Sequence, residues 1–590
     1  MNLDVGDAAQ IASTDATPRA DRIVVASAII TMDEARPRAE AVAIDTATGT
    51  FARVGDRAEL IAFYPDAELV DLGAATLMPG FIDSHSHPIV SGMTCREPAH
   101  WIAPYVGYPT YADVTALFAR LEAQTPAGDG LIFNGLDRTL QSAPELTNVE
   151  LDGFFPDRPV AVVDNSGHEV YFNTALMHLL GWADGTPPAD PVGARFGRNA
   201  DGTSNGRAYE LPAVMAVATP LMAQVITDPL LSAARWYRYM AENGVTATTE
   251  HTYNSSLLPA ITALASLPDS PLRLSLYHMS TEADAAAPLT TTAPADMVRK
   301  VGIKLWADGS PWVGNVANSF PYLDNATVRD AGIPIGPSGE SMMNYSRTDL
   351  DALLDSFAGS GYQMAFHVNG DVGLDVVLDA FERALGLQGL RGTDHGWRVE
   401  HVGGARGDQF ERAAALGVGI SMAPFQFIYW GDLLDGTLFA PEIGSQWQRF
   451  GDAVRSGATV SFHNDGTVSP PIPLRNVQAA VTRRTGSGQV HGPEQAIGLD
   501  DAFRAHTVNA ARHIGRGDDL GIIAAGRLAD FVVLSADPWT VDPAHLVDDV
   551  KVLGTWHSGR PIDLDAFLAE LSAVDPAQHA GLHGHAQHHC

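Results

Sequence analysis

The chain has 590 residues, 45% of them hydrophobic, which suffices for a large core and exceeds what one core usually organises. Lys and Arg total 37 against 70 Asp and Glu, a net charge of −33, which excludes non-specific binding to nucleic acid or to an anionic membrane. Two cysteines, Cys95 and Cys590, cannot build a disulfide framework.

Residues 1–20 are polar and read as a flexible arm. No signal-like apolar run and no stretch of membrane-spanning length appears, so the expectation is a cytoplasmic protein. Short strands with turns between them are predicted at residues 23–31, 40–44, 51–54 and 68–72. At residues 76–88 an apolar run ends in polar residues, TLMPGFIDSHSHP, as a strand does when it delivers side chains to its C-terminal end.

Apolar runs then alternate with helix-period segments. They lie at 130–134, 159–164, 245–250, 272–277, 301–306, 363–367, 397–401, 418–422 and 459–463. This alternation predicts an α/β fold around a parallel sheet covered on both faces. More than eight runs are present, so one or two belong to insertions. Residues 183–212, rich in Gly, Pro and Asp, read as long loops. After a helix near 502–511, short strands return at 521–534 and 550–561, so both chain ends are β and pair into one small domain. The tail from His579 carries five histidines and reads as a low-complexity end or a weak metal-binding tail.

His85 and His87 stand two apart at the end of a strand, so both imidazoles leave one face. That pair suits a divalent cation. Other ligand types recur where predicted strands stop: Lys304, His367, His401 and Asp465. Lys304 is one of only three lysines, with Lys300 and Lys551, which favours a role for it.

The chain resembles the amidohydrolase superfamily of metal-dependent hydrolases, in the branch of YtcJ-like proteins and N-substituted formamide deformylases. The motifs are PGFIDSHSHP (79–88), SGHEVYFN (166–173), IKLWADGS (303–310), FHVNGD (366–371), RVEH (398–401), HND (463–465) and GRLADFVVL (526–534). The resemblance implies a (β/α)8 TIM-type barrel over 79–514 and a β-sandwich from 21–78 with 515–563. Residues 564–590 are left as a His-rich tail. It also implies that His85, His87, Lys304, His367, His401 and Asp465 hold one or two divalent ions, zinc first, with Mn, Fe or Ni as alternatives. Lys304 would be carbamylated in a two-metal site, because an ammonium cannot ligate a cation whereas a carbamate offers two oxygens. Asp465 would be the general base and acid.

Relatives read Gly-Ser-Asp where this chain has His463-Asn464-Asp465, so His463 is a substrate contact or a filled wall. His168, Trp306, Trp312 and Tyr429 are further expected substrate contacts. Residues 421–432, SMAPFQFIYWGD, read as a lid or pocket wall. The expected reaction is hydrolysis of a non-peptide C–N bond in a small amide, N-formyl compound or cyclic amide with a hydrophobic or aromatic group. Two readings stay open beside it: a decarboxylase, isomerase or hydratase on the same fold, and a metal- or ligand-binding protein without turnover. The expected partner is a small molecule, with a homo-oligomer possible.

Overall fold

The computed structural model describes residues 18–191, 193–571 and 574. Its centre is an eight-stranded parallel sheet in chain order. The strands are β1 (Phe81–Asp83), β2 (Val245–Tyr253), β3 (Arg273–Met279), β4 (Val298–Trp306), β5 (Gln363–Val368), β6 (Arg398–His401), β7 (Gly419–Met422) and β8 (Val460–Phe462). Each pairs in parallel with the next. Ladder pairing stops between β8 and β1, and polar groups close that seam. The Asn464 N–H donates to Asp83 Oδ1 at 3.0 Å, the Asp465 N–H to the His85 carbonyl at 3.1 Å, and Ser84 Oγ to the Phe462 carbonyl at 3.0 Å. The expected α/β barrel is therefore present and nearly closed.

Two runs predicted as strands lie outside the barrel. Leu131–Leu136 and Val160–Asp164 belong to a separate six-stranded sheet between β1 and β2. Those two strands pair in parallel, and every residue of both is buried. Such runs look alike in any covered sheet, so the sequence cannot assign them. The same sheet takes Arg195–Arg198 and Ser204–Tyr209, an antiparallel pair within the segment expected to be loop. The apolar helix Leu211–Val225 packs Val217 and Leu221 into the cluster that contains Ile132 and Val170 of this sheet.

The chain ends pair as expected. Phe531–Leu534 runs antiparallel to Thr76–Pro79 in a third sheet, which also holds Arg22–Ile30, Arg38–Asp45, Thr50–Gly55 and Val552–His557. Strand alternation sends Val24 and Val42 into one apolar cluster, and Val25 and Ala41 into another closed by Leu60 of the helix Arg57–Phe63. The sheet feeds directly into β1 through Gly80, where a Cβ would meet Thr246 Oγ1 at 2.0 Å. Arg273 of β3 ties it to the barrel, donating through Nε to Asp530 Oδ2 at 2.5 Å and through Nη2 to Oδ1 at 2.9 Å.

Residues 564–570, assigned to the tail from sequence, form a helix whose Phe567 is buried and stacks on Tyr237. The histidines from His579 onward lie outside the described residues. Among the described residues, no single helix is long and apolar enough to cross a membrane.

Candidate metal centre

The six predicted ligand-type side chains converge on one cavity at the C-terminal end of the barrel strands, where barrel active sites form. His85 and His87 follow β1, and His87 starts the helix Pro88–Cys95. Lys304 lies on β4, His367 on β5 and His401 at the end of β6; Asp465 follows β8. Asp465 Oδ1 lies 3.2 Å from His87 Nε2 and 3.6 Å from His85 Nε2. Lys304 Nζ is 3.0 Å from His85 Nε2, and the His367 and His401 rings are 4.4 Å apart. Ligand atoms of His85, His87 and Asp465 all lie within 4.8 Å of one another.

The imidazoles are held from behind, as metal-binding histidines are. Glu400 Oε2 is 2.9 Å from His85 Nδ1, and Glu250 Oε1 is 3.6 Å from His87 Nδ1. His367 Nε2 is 3.0 Å from the Gly309 carbonyl, and His463 Nε2 is 3.1 Å from His401 Nδ1. His401 Nε2 is buried and has no hydrogen-bond partner among the described residues. A buried nitrogen without a partner is costly unless something else binds it, so this donor set fits a cation.

Charge states agree. Burial pushes the imidazoles of His85, His367 and His401 well below their ordinary value, leaving neutral rings that can ligate. Burial also brings the Lys304 amine down to about 8, against the pull of Glu400 and Asp465. For Asp465, burial pushes upward, but the hydrogen bond and charge of His87 outweigh it and the net direction is down. His87 moves the opposite way, since Asp465 and Glu250 overcome its burial.

The sequence did not signal how β6 serves the site. Glu400 and His401 are adjacent, so a regular strand would send them to opposite faces. Left-handed backbone at His401, φ 71, and at Val402, φ 48, breaks the alternation. Both side chains then reach His85: Glu400 by its hydrogen bond, His401 by ring contact at 4.9 Å. Arg398, on the same strand face as Glu400, neutralises it with Nε 2.6 Å from Oε1. RVEH contained these residues, but only His401 stood out by type.

The expected substrate contacts divide. His168, Trp306 and Trp312 line the cavity. Glu210, whose role the sequence left open, holds His168 Nδ1 at 2.8 Å from Oε2. Trp312 stacks on Trp430 at 3.9 Å. Tyr429 and His463 are not among the lining residues, which departs from the expectation for Tyr429 and matches the filled-wall alternative for His463. Tyr429 stacks on Tyr105 at 4.0 Å and accepts from Arg475, away from the lining. His463 is fully buried between Ser421 and His401 and is not part of the lining. Residues 424–434 form a helix, and Phe425 and Gln426 make part of the wall. Sequence reasoning overlooked another part of the wall, the helix Leu211–Val225, which contributes Met215, Thr219 and Met222.

The amidohydrolase family model matches residues 68–563, most of the chain. The chain belongs to the amidohydrolase family. It is 26% identical over 521 residues to N-substituted formamide deformylase of Arthrobacter pascens, covering 84% of this chain and 90% of that protein. It is 25% identical over 507 residues to YtcJ of Bacillus subtilis, covering 82% and 88%. A solved structure of an uncharacterised metal-dependent hydrolase from Pyrococcus horikoshii superposes with a TM-score of 0.67 at 22% identity, covering 89% of this chain and 99% of that one. Family and site together mark this amidohydrolase as a metal-dependent hydrolase of the YtcJ-like branch.

Proposed function

We propose that this amidohydrolase cleaves the C–N bond of neutral amides or N-formyl compounds that carry an apolar substituent. The observation that carries the reading is the convergence of His85, His87, Lys304, His367, His401 and Asp465 on one cavity, with the buried Nε2 of His401 left without a partner among the described residues. These residues would hold one or two divalent ions, zinc first. When bound, a cation there supplies a Lewis acid and acidifies water. Lys304, buried and with its amine down to about 8, is suited to carry a carbamate between two ions.

Asp465 is the proton carrier. It accepts a proton from the attacking water and returns it to the leaving nitrogen, which departs poorly unless protonated. Its contact with His87 keeps it ionised and aimed. His168, steadied by Glu210, faces the cavity beside His367, with ring centroids 5.0 Å apart, and orients the substrate carbonyl or nitrogen. The cavity measures about 1550 Å³, including its open mouth. Its walls are largely apolar, with Val90, Met93, Met215, Met222, Trp306 and Phe425 among them. Among the described residues, His168 is the one ionisable lining group outside the ligand set. A substrate carboxylate or ammonium would thus be buried without a free counter-charge, which supports a neutral substrate. The division into a barrel and a chain-end β-sandwich belongs to the same reading, supported by the apolar clusters on both faces of the chain-end sheet.

Metal analysis tests the reading, on protein lacking its last dozen residues so that the tail histidines collect no ion. Wild type and Lys304→Ala are compared. About two equivalents in wild type, falling in the variant, are expected for a lysine-bridged pair. About one equivalent, unchanged in the variant, would assign Lys304 another task. No metal in either protein would overturn the mechanism.

A further inference from the structure

We infer that His463 is a positioning residue which, through a one-way chain of hydrogen bonds, holds the Nε2 lone pair of His401 towards the cavity. The inference rests on the metal-site reading above.

The chain can be read from its far end. The Phe462 carbonyl only accepts, and Ser84 Oγ donates to it at 3.0 Å. The single Ser421 proton is drawn by two acceptors other than His463: Ser84 Oγ, 3.1 Å away and already donating to Phe462, and the Glu400 carboxylate, which the Ser421 hydroxyl hydrogen-bonds. Ser421 Oγ in turn faces His463 Nδ1 at 2.8 Å and must accept from it. That puts the single proton of a neutral His463 on Nδ1 and leaves Nε2 as an acceptor. Nε2 is 3.1 Å from His401 Nδ1, so His401 also carries its proton on Nδ1. The remaining nitrogen, His401 Nε2, is left with a bare lone pair and no protein partner among the described residues.

Every link is buried: Ser84, Ser421 and His463 are each 0% exposed, and His401 is 2%. Water therefore has no easy route to reverse a member. The polarity ends on the nitrogen that a cation needs. A hydrophobic residue at 463 would fill the space but leave the His401 Nδ1–H with no acceptor within hydrogen-bond reach, Asp465 Oδ2 lying 3.9 Å away. The ring could then turn or change tautomer, and Nε2 would no longer be presented.

Two full-length variants of similar volume test this. His463→Leu removes the acceptor; His463→Gln restores one, an amide oxygen near the Nε2 position. Zn²⁺ affinity is read by competition with a chromophoric chelator, and ligand geometry by the visible spectrum of the Co²⁺ form. The expected result is a loss of about 10- to 100-fold in affinity for one equivalent in His463→Leu, with an altered Co²⁺ spectrum, the size seen when partners of metal-binding histidines are removed. His463→Gln should stay within about threefold of wild type and keep its spectrum. Leu binding as tightly as wild type would overturn the inference, and so would Gln as weak as Leu, since volume rather than hydrogen bonding would then be at issue. If His463→Leu does not fold, Ser421→Ala breaks the next link and should still weaken Zn²⁺; unchanged affinity there would also overturn it. Wild type that binds no divalent ion would instead fail the metal-site reading itself.

Discussion

Replacing Asp465 by Asn separates metal ligation from proton transfer. The residue sits in left-handed backbone, φ 51, a conformation that asparagine tolerates better than most residues. The loop should keep its path, including the 3.1 Å bond from the residue 465 N–H to the His85 carbonyl. The amide oxygen can also keep the contact that Asp465 Oδ1 makes with His87 Nε2 at 3.2 Å. What disappears is a group that can take up and return a proton. Such a group is worth about 100- to 10,000-fold in rate, or about 2.7–5.4 kcal/mol of barrier. The assay follows formate release from a neutral N-arylalkyl formamide at saturating Zn²⁺, with metal content measured on the same samples. The expected outcome is a kcat lowered at least about 100-fold with KM within about threefold, because the lost interaction belongs to the transition state. A kcat lowered by less than about tenfold in a variant that still holds its metal would refute Asp465 as the proton carrier.

Three further outcomes follow from the same geometry. A neutral N-benzyl formamide should exceed an N-formyl amino acid of similar size by at least about 100-fold in kcat/KM, because the cavity offers the carboxylate no free cation among the described residues; comparable values would contradict a neutral substrate. Asp530→Asn should destabilise the fold by about 1.5–3 kcal/mol in urea titration, since it removes the buried carboxylate from the fully buried Arg273 guanidinium and leaves the half-exposed Asp296 as its ionic partner. Burial pushes the Asp530 carboxyl up, but Arg273 outweighs it and holds it far below the ordinary value. Its contribution is therefore complete above the ordinary carboxylate pKa and lost as pH falls towards the depressed one, so the acid sensitivity of wild type should be blunted in the Asp530→Asn variant. Gly80→Ala should cost about 1–3 kcal/mol in the same titration, because the new methyl meets Thr246 Oγ1 at the hinge into β1; an unchanged midpoint would show that the hinge yields.

Much of the site was legible because its chemistry concentrates where predicted strands stop. His85, His87, His367 and His401 are conspicuous by type and place, and Lys304 by the scarcity of lysine. Less was legible of what holds them. Glu400 and Arg398 look like ordinary alternating strand residues until the left-handed turn at His401 is known. The role of His463 stayed undecided because a histidine beside a base can face either the cavity or the interior. The assignment of residues 131–136 and 160–164 to a second sheet was hidden for a related reason: a fully buried strand carries no mark of which sheet buries it.

Local pattern therefore determined most element types, the α/β alternation, the pairing of the chain ends and the six residues suited to a cation. These depend on periodicity and side-chain chemistry, which are properties of short stretches. Only the tertiary structure decided which strands close the barrel, which wall lines the cavity and which nitrogen of each imidazole is free. Those depend on contacts such as Ser421 with His463 or Glu400 with His85, 42 and 315 residues apart in the chain. No local signal encodes such distances, because a hydrogen bond in the barrel interior is chosen by packing around the whole barrel.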